Sequence, residues 1–302
     1  MTPAPTVLGF TVRLKDALTR AAAKLSAANV PSPRLNAETL LIFTLGCDRA
    51  YLYAHPERPL TSDEIGRYDD ALSQRSRGVP AQYITGHQEF WGLDLLVTPA
   101  VLIPRPETEH VVETALHLIA QSDRRRPLIL DVGTGSGCIA LALAKEVPVA
   151  ELHACDISPA ALEMARANAA RLQLSERIHF HESDLLAALP RDLQFQLVVS
   201  NPPYVAERDA ESVEAQVRRF EPHQAVFGGE DGLEVYRRLI PQAHQRLAPA
   251  GRLVMEMGAG MEQQVRELLR GWEEISSTPD LQGIARVVAA RKPPDELRSE
   301  RP

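Results

Sequence analysis

Between Leu128 and Val199 short apolar runs alternate with helical stretches, and that alternation leaves few folds open. Leu128–Val132, Glu151–Cys155, Ile178–His181 and Phe195–Val199 read as strands, with helices at Cys138–Lys145 and Pro159–Arg171. Strands this short and this apolar on both faces belong to parallel sheets covered by helices on both sides. The pattern continues through a helix at Leu233–Leu247, a strand at Gly251–Met257, a helix at Met261–Leu269 and a closing strand pair at Glu274–Thr278 and Ile284–Ala289. The fold class expected is α/β, with a mostly parallel seven-stranded sheet.

The chain ahead of this sheet reads differently. Leu14, Ala17, Leu18, Ala21 and Leu25 recur at helix spacing until Asn29 and Pro31 stop them. Pro33–Gly46 carries Leu35, Leu40, Leu41 and Leu45, and Thr61 with Glu64 has the spacing of a capping box. Residues 1–81 are therefore expected to form a small bundle of four or five helices. Across 82–101, Tyr83-Ile84, Phe90-Trp91 and Leu93 to Val97 suggest two strands joined near Gly92, a β-hairpin linker that Phe90 and Trp91 either pack or use to line a peptide groove, packing being favoured. Pro99, Pro104 and Pro106 stiffen the next loop, and Glu107 opens a helix to about Ala120. The sheet domain is placed at 102–290. The tail RKPPDELRSERP, 291–302, lacks apolar periodicity and is expected to be flexible.

Charge and cysteine usage narrow the function classes. With 40 acidic and 33 basic residues the net charge is −7, so no general grip on DNA or RNA is advertised. The first 85 residues hold 10 basic and 8 acidic side chains and the remainder 23 and 32, which makes the small domain slightly positive and the large one negative. Cys47, Cys138 and Cys155 are scattered among apolar or small neighbours, as in a reducing compartment. The histidines, His153, His179 and His181 among them, show no metal-ligand spacing, and no metal is assigned. No signal-peptide core and no apolar run of ~18 residues is present, which points to a cytoplasmic protein without membrane contact.

Asp131-Val-Gly133-Thr134-Gly135-Ser-Gly137 follows a strand and enters a helix. Glycines there let the backbone turn tightly and approach a ligand, and the helix N-terminus offers unpaired N–H groups. A nucleotide, a dinucleotide or an adenosyl cofactor would suit such a loop. Asp156, 25 residues beyond Asp131, ends the next strand, where a carboxylate accepts from ribose hydroxyls. Asp184 lies just past the third strand, within reach of an adenine edge. The spacing Gly133-x-Gly135-x-Gly137 departs from the dinucleotide pattern and resembles that of class I methyltransferases using S-adenosylmethionine. That resemblance implies a Rossmann-like sheet and places Asp131 near the amino end of the cofactor's methionine moiety.

Asn201-Pro202-Pro203-Tyr204 stands at the end of a strand on the same sheet edge as the glycine loop. An asparagine amide has an acceptor and a donor and can fix another planar NH₂-bearing group. The two prolines remove backbone donors and stiffen a loop of carbonyl acceptors, and Tyr204 offers a flat wall. Such a loop suits an NH₂ on an sp² carbon, and adenine N6, guanine N2 and a glutamine amide all qualify.

Further stretches narrow the family: Ile103-Pro-Arg105-Pro-Glu107-Thr108-Glu109, Phe220-Glu-Pro222, Gly228-Gly229-Glu-Asp231-Gly232-Leu233, Glu256-Met-Gly258 and Asp280-Leu-Gln-Gly283-Ile-Ala-Arg286. In this order, and with the helical N-terminal block, the chain resembles the peptide-chain release factor glutamine N5-methyltransferases over about residues 11–290. The resemblance implies methyl transfer from S-adenosylmethionine, leaving S-adenosylhomocysteine, to the glutamine of the Gly-Gly-Gln motif in bacterial class I release factors, with no direct nucleic acid required. It implies that Asn201 hydrogen-bonds the substrate amide beside the cofactor, that the Pro202 carbonyl receives an amide hydrogen, and that Tyr204 contacts the glutamine, with Pro203 in the same loop. The Arg105–Glu107 loop would close over both ligands, and the helical domain would bind the release factor. A monomer is expected. Read from the residues alone, Arg105 pairs with the cofactor carboxylate or with Glu107, or makes a surface ion pair, while Glu107 also suits a first helical turn. Gly228, Gly229 and Gly232 indicate unusual backbone geometry. The competing readings are an amino-methyltransferase acting on an RNA or DNA base, and a noncatalytic adenosyl-ligand-binding protein.

Overall fold

A computed structural model describes residues 12–122 and 125–294. The chain divides between Gly86 and His87 into two compact units.

The first unit is helical: α1 (Leu14–Ala27), α2 (Pro33–Leu45), α3 (Arg49–Ala54), α4 (Ser62–Ser76) and α5 (Ala81–Thr85). Leu14, Leu18, Leu25, Leu40, Leu41 and Leu72 meet in its core. Thr61 and Glu64 form the capping box at the start of α4, with both reciprocal bonds present. Such a cap contributes about 1 kcal/mol. Tyr83 and Ile84 lie in α5, contrary to the strand expected there. Pro80 at the N-cap and Gly86 in the left-handed region at φ 76° bracket a single helical turn, and this punctuation overrides the β preference of Tyr and Ile.

The second unit opens with the antiparallel hairpin β1 (His87–Phe90) and β2 (Leu93–Leu96). The hairpin is part of this unit's core: Phe90, Leu93 and Leu95 are buried in it, and Trp91 packs alongside. Packing is thus the role of both aromatics. Asn168 fixes the hairpin, accepting from Leu96 N (2.7 Å) and donating to the Leu96 and Ser136 carbonyls. After a 3-10 turn at Pro106–Thr108 come α6 (Glu109–Ala120), β3 (Leu128–Val132), α7 (Cys138–Glu146), β4 (Glu151–Asp156), α8 (Pro159–Arg171), β5 (Ile178–Glu182) and β6 (Phe195–Ser200). Then follow α9 (Ala215–Phe220), α10 (His223–Val226), α11 (Glu234–Arg246), β7 (Leu247–Glu256), α12 (Glu262–Leu268), β8 (Glu273–Pro279) and β9 (Ala285–Arg291).

The seven strands form one sheet in the order β5-β4-β3-β6-β7-β9-β8, parallel except where β9 meets β7 and β8. Side chains alternate between two cores. Ile129, Leu197, Val199 and Val254 face one, and Leu130, Val132, Val198, Leu253 and Met255 face the other. Because the period is two, a one-residue slip would exchange the faces, so burial on both sides fixes the register. β7 starts at Leu247, earlier than expected. Its ladder with β6 shifts between Phe195 and Leu197, and Ala250 takes φ 61°, an irregularity that reads as a turn in the sequence.

The expected tail begins as ordered structure: Arg291 ends β9, and buried Lys292 donates from Nζ to the Leu247 carbonyl (3.0 Å). Residues 295–302 of that tail lie outside the described residues, as do residues 123–124. Among the described residues no helix is long and apolar enough to cross a membrane.

Candidate functional site

Strand order reverses on either side of β3 and β6, and open sheets bind ligands beyond the carboxyl ends of their strands at such a switch point. A crevice of about 250 Å³ lies there. Its wall brings together Gly133, Gly135, Asp156, Asp184, Asn201 and Pro203, from the end of β4 and the segments that follow β3, β5 and β6. Asp131, Thr134, Gly137, Pro202, Tyr204, Arg105 and Glu107 are not on that wall.

The glycine loop is shaped by its own chain. Gly133, Gly135 and Gly137 all have positive φ, and the Gly133 and Thr134 N–H groups donate to the Cys155 carbonyl at 2.8 and 3.0 Å. Asp131 is buried beneath the loop. Its Oδ2 accepts from Thr134 Oγ1 (2.7 Å) and Ala140 N (3.2 Å), whereas Oδ1 has no partner among the described residues. Burial pushes its carboxyl up to about 7. Asp156 is held by the N–H groups of Gly135 and Ser158, both at 2.9 Å, and burial raises its pKa despite those bonds. Asp184 is exposed and paired with Arg238 at 2.5 Å, and Arg238 also lines the crevice.

These features suit a ligand with a diol and an ammonium group. An orphaned, buried carboxylate oxygen is costly unless a cation or proton reaches it. A carboxylate fixed through two backbone donors still has lone pairs for hydroxyl hydrogens. The residues present therefore fit S-adenosylmethionine.

The Asn201 loop is built against two partners. Asn201 Nδ2 donates to Thr108 Oγ1 (3.0 Å), and Thr108 Oγ1 donates to Glu256 Oε2 (2.6 Å). Tyr204 Oη reaches the other oxygen of Glu256 at 3.3 Å. Glu256 is buried at the end of β7, and burial, opposed by the two hydroxyl donors, raises it to about 7. Its carboxylate claims the Thr108 proton, so the Thr108 lone pair faces Asn201 and fixes which end of that amide turns inward. Asn201 Oδ1 and the Pro202 carbonyl then accept no hydrogen bond among the described residues.

Behind the loop, Gly228 and Gly232 lie so close that a Cβ on either would stand 2.4 Å from the Pro203 carbonyl oxygen or 2.3 Å from that of Tyr204. This close approach is what the glycine-rich run Gly228–Gly232 provides. Arg105 pairs with Glu221, and neither the cofactor nor Glu107 is needed to explain it. Glu221 also accepts from Ile103 N (3.1 Å), so the pair ties the proline-rich loop to the Phe-Glu-Pro segment. The Glu107 carbonyl accepts from Glu109 N in the 3-10 turn, and its side chain makes no hydrogen bond or ion pair among the described residues. Its charge adds to what raises Glu256.

Sequence reading gave no role to Thr108, Glu221, Glu256 or Arg238. One signal was available for Glu256: a carboxylate ending the apolar run Leu253 to Met255 must be buried with partners.

Comparison with known proteins agrees with this architecture. The sequence matches the family described as PrmC N-terminal domain over residues 16–86 and that described as methyltransferase small domain over residues 112–220. A release factor glutamine methyltransferase of Koribacter versatilis is 55% identical over 280 residues, covering 93% of this chain and 99% of that protein. Another from Bradyrhizobium diazoefficiens is 43% identical over 277 residues, covering 90% and 93%. Among solved structures, a methyltransferase from Pyrococcus furiosus superposes with a TM-score of 0.50 at 18% identity, covering 67% of this chain and 90% of that one, a likeness of fold alone.

Proposed function

This chain belongs to the release factor glutamine methyltransferase family, and on that premise we propose that it methylates the side-chain amide N5 of the glutamine in the Gly-Gly-Gln motif of bacterial class I release factors. It is an S-adenosylmethionine-dependent protein-glutamine N5-methyltransferase. The observation that carries the chemistry is the Glu256–Thr108–Asn201 chain, which leaves an amide oxygen as an acceptor on the wall of the crevice.

A carboxamide nitrogen is a weak nucleophile because its lone pair is delocalised into the carbonyl. Asn201 Oδ1 and the Pro202 carbonyl accept its two hydrogens, which turns the nitrogen inward and favours positive character there as the C–N bond forms and the S–CH₃ bond breaks; S-adenosylhomocysteine is left, and one N–H proton passes to water. Pro203 stiffens the loop, and Tyr204, fixed through Glu256, walls the glutamine side chain. The bound cofactor supplies an electrophilic methyl group. Asp156 would receive its ribose hydroxyls, Asp131 with Thr134, which shape the loop Gly133–Gly137, would serve its amino end, and Asp184 with Arg238 would border its base. Arg105 and Glu107 belong to the loop beside both ligands, with the Glu221 pair holding Arg105. The helical unit is the release-factor-binding domain, and the protein acts as a cytoplasmic monomer.

The functional test incubates the purified protein with methyl-labelled S-adenosylmethionine, a release factor and total RNA. Label is expected in the release-factor peptide containing Gly-Gly-Gln. Label in RNA, or an unlabelled release factor, refutes the reading.

Thr108 has a test of its own. Thr108→Val keeps shape but removes the hydroxyl that orients Asn201. One such hydrogen bond contributes about 1.4 kcal/mol, or roughly tenfold in rate. The expected result is a kcat near one-tenth with cofactor affinity unchanged, restored by Thr108→Ser. A valine variant with full kcat removes Thr108 from the mechanism.

A further inference from the structure

We propose that Glu151, His153 and His179 form a binding site for a divalent transition-metal ion on the two strands at one edge of the sheet. Each residue offers one ligand atom, and the three atoms lie within 4.8 Å of one another. His153 and His179 are directly paired across β4 and β5, and Glu151, two residues before His153, shares their face. His153 Nε2 and Glu151 Oε1 are 3.4 Å apart. Ligands around a tetrahedral ion with bonds of about 2.0–2.1 Å stand roughly 3.3 Å apart. Only modest rotation of the exposed Glu151 and His179 side chains is needed to close the set.

His153 is the fixed member. It is buried, its ring stacks on His181 at 5.1 Å and meets the edge of Phe195 at 5.7 Å, and His153 Nδ1 lies 2.8 Å from His181 Nε2. With the proton on His153 Nδ1 donating to His181, His153 Nε2 presents its lone pair towards Glu151. That is the arrangement a ligating imidazole takes, its second nitrogen held by an outer partner. A cation then stands where a proton would otherwise separate Nε2 from the carboxylate.

Two imidazoles and one carboxylate suit Zn²⁺, Co²⁺, Ni²⁺ or Cu²⁺ and disfavour Mg²⁺ or Ca²⁺, which take mostly oxygen. The site is separate from the crevice: Glu151 and Asp156 are the two ends of β4, roughly 16 Å apart at ~3.3 Å per residue. An ion there would clip edge strand β5 to β4.

The test uses full-length protein free of any histidine tag and stripped of metal, titrated with Zn²⁺ by calorimetry and with Co²⁺ by visible absorption. Expected are one ion per chain and at least tenfold weaker affinity in His179→Ala and in Glu151→Gln, both exposed positions. His117→Ala, at an exposed histidine elsewhere, should bind as the parent does. Absence of binding, or equal binding in parent and both site variants, overturns the proposal.

Discussion

Asn201→Ala should lower kcat by about 10²–10³-fold, the loss of ~2.7–4 kcal/mol seen when one donor or acceptor aimed at developing charge is removed. Cofactor affinity should change far less, because Asp156 and the glycine loop are anchored to one another through β3 and β4 and not through Asn201. Asn201→Asp separates orientation from mere acceptance. It retains oxygen acceptors but loses the NH₂ that donates to Thr108, and it sets a second carboxylate close to buried Glu256. If an acceptor at this position were all that mattered, the aspartate variant would work. The Glu256–Thr108 relay predicts that it fails nearly as badly as alanine. Single-turnover methyl transfer with saturating cofactor measures both, and near-parental rates in either variant end the case for the relay.

The sheet was legible because its physics is local. Leu128–Val132 and Pro159–Arg171 begin and end in the structure where apolar period, capping residue and proline place them. The glycine loop was legible for the same reason, since Gly133, Gly135 and Gly137 mark positive φ within seven residues of Asp131. What sequence did not reveal depends on distance along the chain. Thr108 and Glu256 are 148 residues apart, and Arg105 and Glu221 are 116 apart. No spacing rule links such pairs, so Arg105 stayed open between the cofactor carboxylate, Glu107 and a surface ion pair. His153 and His179 meet only because β4 and β5 pair in a particular register, which periodicity along a single strand does not specify. Tyr83-Ile84 failed in the opposite way, a local β preference overruled by the proline and glycine on either side of it.

The same dependence on distant contacts sets the second large effect, at Gly232. Gly232→Ala should cut kcat by about 10²-fold, because displacing a substrate-positioning group by ~1 Å has that consequence. Two causes act together: Gly232 has φ +78°, and its added Cβ would stand 2.3 Å from the Tyr204 carbonyl oxygen and 3.2 Å from the Tyr204 carbonyl carbon. The first costs about 1–2 kcal/mol in stability wherever it occurs. The second has no outlet except movement of the Asn201–Tyr204 loop, since the atoms met are backbone. Gly260 separates the two causes. It has nearly the same φ, +81°, with nothing within 4 Å of an added Cβ. Gly260→Ala should therefore lose stability and keep its kcat, whereas Gly232→Ala should lose kcat at a temperature where both remain folded and both bind S-adenosylmethionine. Matching kcat values in the two variants would mean that backbone strain alone was being measured, and that the glycine run does not hold the amide-binding loop in place.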